Sequence, residues 1–114
     1  MSVTIWHNPR CSKSRQTLAL LQDRGIDVEI VKYLDTPPSR DQILDVSRKL
    51  NRPIIDMVRT KEAAFKELNL ASDIDTDGLL DAMAAHPQIL ERPVVITENA
   101  ARLGRPPEDV LELF

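Results

Sequence analysis

The chain has 114 residues, of which 42% are hydrophobic, and its 15 Lys and Arg against 18 Asp and Glu give a net charge of −3. This length and composition are typical of one soluble globular domain. The negative charge excludes a general attraction to nucleic acid. Because no apolar run reaches the roughly 20 residues that a membrane helix needs, and no basic-then-apolar leader opens the sequence, we expect a cytoplasmic protein.

The first 36 residues predict a strand, a helix and a second strand. Val3 to Trp6 is a short β-favouring run that ends at Asn8-Pro9, and the helical pattern from Ser12 to Arg24 ends at Gly25. The second strand candidate runs from Val28 to Tyr33. Parallel pairing with a right-handed crossover would place the loop after the first strand at the carboxyl edge of a sheet, where α/β proteins usually hold their chemistry.

The only cysteine of the chain, Cys11, lies in that loop, at the start of the predicted helix. Unsatisfied backbone N–H groups and the positive end of the helix dipole stabilise a thiolate there, and the same groups can hold an oxyanion. The alternative is a buried cysteine that acts as a small hydrophobe. The polar neighbours favour a reactive thiol; they are His7, Asn8, Arg10, Ser12, Lys13, Ser14 and Arg15.

The rest of the chain changes from a helical to a β pattern. The segment from about Ser39 to Leu90 is wholly helical in pattern, and Ser39 with Gln42 fits a capping box at its start. Strand patterns return at Pro93 to Ile96 and, more weakly, at Ala101 to Gly104, before Pro106-Pro107 opens a last helix. The order predicts a β-α-β half and a β-β-α half separated by helices.

Three arginines follow or precede the ends of predicted elements: Arg59, Arg92 and Arg105. A guanidinium is permanently charged and offers a rigid fork of donors that suits a tetrahedral oxyanion. Taken singly, each arginine is as well explained as a solvated surface charge. Sequence spacing does not decide whether the three converge on Cys11.

Five ordered blocks of this sequence closely resemble the glutaredoxin-dependent arsenate reductase family, over nearly the whole chain. The blocks are His7-Asn8-Pro9-Arg10-Cys11-Ser12-Lys13-Ser14-Arg15, Tyr33-Leu34-Asp35-Thr36-Pro37-Pro38, Val58-Arg59, Glu91-Arg92-Pro93-Val94-Val95 and Arg102-Leu103-Gly104-Arg105-Pro106. The resemblance implies a thioredoxin-like α/β fold in a single domain, residues 1–114, with a helical insertion at about 39–90. The better-known members extend beyond the last helix, so we expect a short form.

Carried onto this chain, the resemblance makes Cys11 the nucleophile and makes Arg59, Arg92 and Arg105 the oxyanion-binding set. It also implies supporting residues around the sulfur, and a cis-proline before the third strand; these are His7, Ser14, Arg15 and Pro93. The residues themselves leave two roles open. The Ser14 hydroxyl turns toward the sulfur or is an ordinary first-turn cap. His7 raises the local positive potential or ends a strand in solvent.

The implied reaction is reduction of arsenate to arsenite in a monomer, with glutathione as co-substrate, glutaredoxin as reductant partner, and no metal or bound organic cofactor. The absence of a second cysteine agrees with an external resolving thiol. One alternative is a thiol oxidoreductase of the same fold that acts on another glutathione-linked substrate. Another is a non-catalytic redox regulator that binds RNA polymerase; such proteins commonly carry Cys-x-x-Cys, whereas this chain has Cys11-Ser12-Lys13-Ser14.

Overall fold

The computed structural model describes residues 2–70 and 74–114, so residues 71–73 of the predicted insertion lie outside the described residues. The chain divides into two compact units. One, the sheet unit, combines Met1–Thr36 with Arg92–Phe114, and the other, the helical unit, is Pro37–Glu91. In the described residues, no helix combines the length and the hydropathy needed to cross a lipid bilayer.

The sheet unit contains four strands, one α-helix and a final 3₁₀ helix. They are β1 (Thr4–His7), α1 (Ser12–Asp23), β2 (Glu29–Lys32), β3 (Val94–Ile96), β4 (Ala101–Leu103) and the 3₁₀ helix Pro107–Leu113. The strand order is β2-β1-β3-β4. β1 is parallel to β2, with Ile5 beside Ile30, and antiparallel to β3, with Ile5 beside Val95. The predicted β-α-β unit with parallel strands is therefore confirmed.

The core of the sheet unit lies where α1 and the last helix cover the sheet. Its buried members are Val3, Ile5, Leu21, Val95 and Val110, with Leu18, Ile26, Val28 and Leu113 packed partly buried against them. The last helix is 3₁₀ rather than α. With three residues per turn, its Val110 and Leu113 align on one side, which suits their shared packing on this core.

In residues 37–70 and 74–91 the helical unit begins with α2 (Arg40–Leu50), and four shorter helices follow. They are the 3₁₀ helix Ile54–Met57, α3 (Ala63–Glu67), α4 (Thr76–Ala85) and the 3₁₀ helix Pro87–Ile89. The predicted capping box is confirmed, because Ser39 and Gln42 each accept the other's backbone N–H. One isolated β-bridge, Val58 with Leu90, departs from the wholly helical prediction.

Candidate thiol site

Cys11 is the N-cap residue of α1, with extended backbone angles of φ −93° and ψ 122°. Its N–H donates to the carbonyl of Asn8 at 3.0 Å, and its own carbonyl accepts from the N–H of Arg15 at 3.0 Å. The thiol is free and partly exposed. The prediction that a sulfur occupies the helix N-terminus is confirmed, and the alternative of a fully buried hydrophobe is wrong.

The first turn of α1 carries no acidic residue, and Cys11 makes no side-chain cap hydrogen bond. The first backbone N–H groups of a helix have no partner within the helix, so they are available to a thiolate or an oxyanion. Arg15 supports the preceding loop, because its Nη1 donates to the carbonyl of Pro9 at 2.9 Å. The predicted supporting residue therefore fixes the chain that leads into the thiol.

Arg105 brings a positive charge to the sulfur. Its Nη2 lies 3.9 Å from Cys11 Sγ, a long hydrogen bond to a large acceptor atom, and its Nε donates to the carbonyl of Arg92 at 2.8 Å. The Arg92 nitrogens Nε and Nη1 are buried. The peptide bond between Arg92 and Pro93 is cis, as the resemblance implies, and so is the bond between Arg105 and Pro106. Cys11, Arg92 and Arg105 thus all belong to the sheet unit.

Arg59, the third predicted anion-binding arginine, belongs to the helical unit. Its backbone N–H donates to the carbonyl of Ile89 at 2.7 Å, and its Nη1 lies 2.8 Å from Oε2 of Glu62. This carboxylate competes with any oxyanion for the guanidinium. Glu62 was not predicted from the sequence; a turn between the two residues, closed by the Glu62 N–H to the Arg59 carbonyl at 3.0 Å, brings the side chains together.

His7 and Ser14 form a buried pair beside the loop. His7 Nδ1 lies 2.7 Å from Ser14 Oγ, which also accepts the N–H of Asn8 at 3.0 Å. Burial lowers the pKa of His7 below 6.5, and the positive charges of Lys32 and Arg15 lower it further. The imidazole is therefore neutral at pH 7, and its Nδ1 shares a hydrogen bond with the hydroxyl of Ser14.

This pair corrects two of the predicted roles. The hydroxyl of Ser14 contacts His7 Nδ1 and the N–H of Asn8, instead of the Cys11 sulfur or a backbone N–H of α1. His7 is 6% exposed, which excludes a strand end in solvent, and as a neutral ring it does not raise the positive potential. Its role is to hold the loop through Ser14.

Two further residues near the site were missed, Thr17 and Gly104. Thr17 is fully buried in α1, where its Oγ1 donates to the carbonyl of Lys13 at 2.8 Å. Gly104 is buried at the end of β4, and its N–H donates to the carbonyl of Pro93 at 2.9 Å. A polar residue on an apolar helix face was the one available signal for Thr17. Nothing in the spacing of the sequence identified Gly104.

Comparison with known proteins identifies the family of this chain. The model of the ArsC family matches residues 6–113. The chain belongs to the ArsC family. An arsenate reductase of Neisseria meningitidis serogroup A is 48% identical over 110 residues, covering 95% of this chain and 94% of that protein. The Escherichia coli protein YfgD, named as uncharacterised, is 46% identical over 113 residues, covering 97% and 95%.

A solved structure supports the same assignment. The arsenate reductase from Vibrio cholerae has a TM-score of 0.96 to this ArsC-family chain at 49% identity, covering 100% of this chain and 98% of that one. The predicted fold is thereby confirmed as the thioredoxin-like α/β fold of this family.

Proposed function

We propose that the protein is a cytoplasmic arsenate reductase in which Cys11 is the nucleophile and glutathione with glutaredoxin supplies the electrons. The observation that carries this proposal is the 3.9 Å contact between Arg105 Nη2 and Cys11 Sγ at the start of α1. It joins a nucleophile to a cation at a place where backbone N–H groups also favour negative charge. The names of the Neisseria and Vibrio relatives supply arsenate as the oxyanion.

In the proposed first step, the Cys11 thiolate attacks the pentavalent arsenic. A sulfur–arsenic bond forms and an arsenic–oxygen bond breaks, with the oxygen leaving as hydroxide that takes up a proton to become water. Arg105 and Arg92 would offset the negative charge on the arsenate oxygens, together with the N–H groups of the first turn. This step does not change the oxidation state of arsenic.

The electrons arrive in the second step. A glutathione thiolate attacks the sulfur of Cys11, the sulfur–arsenic bond breaks, and its electron pair stays on arsenic, which leaves as trivalent arsenite. Cys11 is then joined to glutathione in a disulfide. A glutaredoxin thiolate attacks the glutathione sulfur and releases Cys11 as a thiolate. The chain has no second cysteine, so an external thiol is required for this resolution.

Arg59 is proposed as the third anion-binding residue, with Glu62 as its modulator. Glu62 Oε2, 2.8 Å from Arg59 Nη1, orients the guanidinium in the absence of an anion. When an anion binds, the guanidinium donates to both the carboxylate and the anion. All the proposed site residues come from one chain, so a monomer is sufficient. No metal or bound organic cofactor is needed, because the electrons come from glutathione.

The test is arsenate-dependent oxidation of NADPH by the purified protein with glutathione, glutaredoxin and glutathione reductase. We expect turnover by the natural protein and none by Cys11→Ser. A folded natural protein that forms the glutathione adduct on Cys11 but consumes no NADPH with arsenate would refute the proposal. That outcome would favour a thiol oxidoreductase with a different glutathione-linked substrate.

A further inference from the structure

We propose that Gly104 is a positioning residue for the thiol site. Because it has no side chain, the turn after β4 can pack against Pro93 and Thr17, and this packing holds Arg105 at Cys11. The consequence for arsenate turnover rests on the proposed function above. The effect on Cys11 itself does not, and it can be measured without arsenate.

The first argument is the space at Gly104. A Cβ there would lie 2.6 Å from Pro93 Cγ and 2.6 Å from Thr17 Oγ1, with Pro93 Cδ at 3.2 Å. Contacts below 3.0 Å force an atom to move. The backbone angle φ of Gly104 lies outside the left-handed region, unlike that of Gly25 at +71°. Gly104 is therefore required by close packing and not by backbone conformation.

The second argument is that neither neighbour can yield easily. Pro93 is buried, and its ring is covalently fixed to the backbone. Thr17 is 0% exposed, and its Oγ1 is held by its hydrogen bond to the carbonyl of Lys13 at 2.8 Å. The N–H of Gly104 is also bonded to the carbonyl of Pro93 at 2.9 Å. A side chain at position 104 would therefore displace the turn that carries it.

The third argument connects this turn to the sulfur. Arg105 directly follows Gly104, and its guanidinium makes two contacts that depend on its position: Nη2 to Cys11 Sγ at 3.9 Å and Nε to the carbonyl of Arg92 at 2.8 Å. Thr17 stands in the helix that Cys11 opens. Gly104 thus contacts both sides of the site, the helix of the thiol and the strand entrance of Arg92. A shift of the turn moves the guanidinium away from the sulfur.

The test measures the rate of Cys11 alkylation by iodoacetamide at pH 7 in a double-mutant cycle. The Arg105 guanidinium beside the sulfur favours reaction of the thiol, so we expect Gly104→Ala, which displaces it, to react roughly tenfold more slowly than the natural protein. Arg105→Ala should slow the reaction by a similar factor. Adding Gly104→Ala to Arg105→Ala should leave the alkylation rate unchanged, because the effect of Gly104→Ala requires the Arg105 side chain.

Gly25→Ala is the matched control. It introduces the same methyl group at a glycine with nothing within 4 Å, and its φ of +71° makes the substitution destabilising without a steric contact. We expect a lower melting temperature and an unchanged alkylation rate. A general loss of stability is thereby separated from an effect on the site.

Two results would overturn the inference: a folded Gly104→Ala that reacts at the natural rate, or equal slowing by Gly104→Ala with and without Arg105. If Gly104→Ala does not fold, Thr17→Ala removes the oxygen that faces Gly104 and is expected to slow alkylation roughly twofold to threefold, only when Arg105 is present. A natural rate in that variant would overturn the inference too. If Gly104→Ala slows alkylation only when Arg105 is present, but the natural protein lacks arsenate reductase activity, only the proposed function is refuted.

Discussion

The first α-helix of the sheet unit, α1, and the first α-helix of the helical unit, α2, have different N-termini. The N-terminus of α2 is fully capped: Ser39 and Gln42 satisfy each other's backbone N–H, and Asp41 in the first turn complements the helix dipole. The N-terminus of α1 has Cys11 at the cap position, no side-chain cap and no acidic residue in its first turn. Of these two helices, the one that carries the thiol lacks both stabilising groups.

This difference agrees with the proposed function, in which the end of α2 serves stability and the end of α1 serves chemistry. At α2 the N–H groups of Ser39 and Gln42 are bonded to each other's side chains, so the capping box takes up two of the donors at this helix end. At α1 no side chain caps the first backbone N–H groups. The guanidinium of Arg105 adds to the positive potential of this helix end. The α1 terminus is therefore preorganised for a negative charge before any substrate arrives. We infer that α1 gives up capping energy for this purpose.

The strongest test converts the α1 terminus into an ordinary one. Cys11→Ser supplies a cap hydroxyl of the kind that α2 already has, so we expect arsenate turnover to fall to background while the free energy of unfolding rises by up to about 1 kcal/mol. Urea denaturation and the coupled NADPH assay measure the two effects. Lower stability together with lost turnover would contradict the idea that α1 lacks a cap for the sake of function.

The next test removes the cation. Arg105→Ala should lower kcat/KM for arsenate by about 10²-fold, the usual effect of losing one donor to an oxyanion. Arg105→Lys should recover only part of this, because an ammonium cannot reproduce a fork that reaches both Cys11 Sγ and the carbonyl of Arg92. Activity of Arg105→Lys equal to that of the natural protein would show that fork geometry has no role.

A third test acts on the capped helix alone. Ser39→Ala removes the acceptor for the N–H of Gln42 and should lower the free energy of unfolding by about 1 kcal/mol. The rate of Cys11 alkylation should stay unchanged, because this helix end serves stability only. Thermal and urea denaturation give the first quantity and iodoacetamide kinetics the second. A slowed alkylation would show that the two helix ends are coupled.

The features that were predicted well from the sequence are determined by residues close together in the chain. The capping box at Ser39, the end of α1 at Gly25 and the two β-rich segments follow from local spacing and composition. The position of Cys11 at the start of α1 was predictable for the same reason. The parallel pairing of β1 with β2 followed from the general rules for β-α-β units.

The features that sequence did not predict depend on contacts between distant positions. Gly104 faces Thr17 across 87 positions of sequence, and their contact appears only when the turn after β4 meets α1. The hydroxyl of Ser14 could be assigned to the sulfur from spacing along the helix, yet its partner is His7 in the preceding strand. Tertiary structure decides which polar atom lies within hydrogen-bond distance of a hydroxyl.

The smallest predicted effect concerns the pH dependence of the free energy of unfolding, through His7, which contacts Ser14 of α1. Burial and the charges of Lys32 and Arg15 hold the pKa of His7 below 6.5 in the folded protein. The unfolded chain therefore binds more protons between that lowered pKa and about 6.5, so this contribution to stability is lost as pH falls through this window.

We expect the free energy of unfolding to fall more steeply from pH 7 to pH 5 in the natural protein than in His7→Gln, measured by urea denaturation at several pH values. The capping box of α2 contains no ionisable side chain, so the loss caused by Ser39→Ala should be the same at both pH values. Identical pH profiles for the natural protein and His7→Gln would contradict a neutral, buried His7. The α1 end would then differ from the α2 end in its missing cap and its charge, but not in its response to protons.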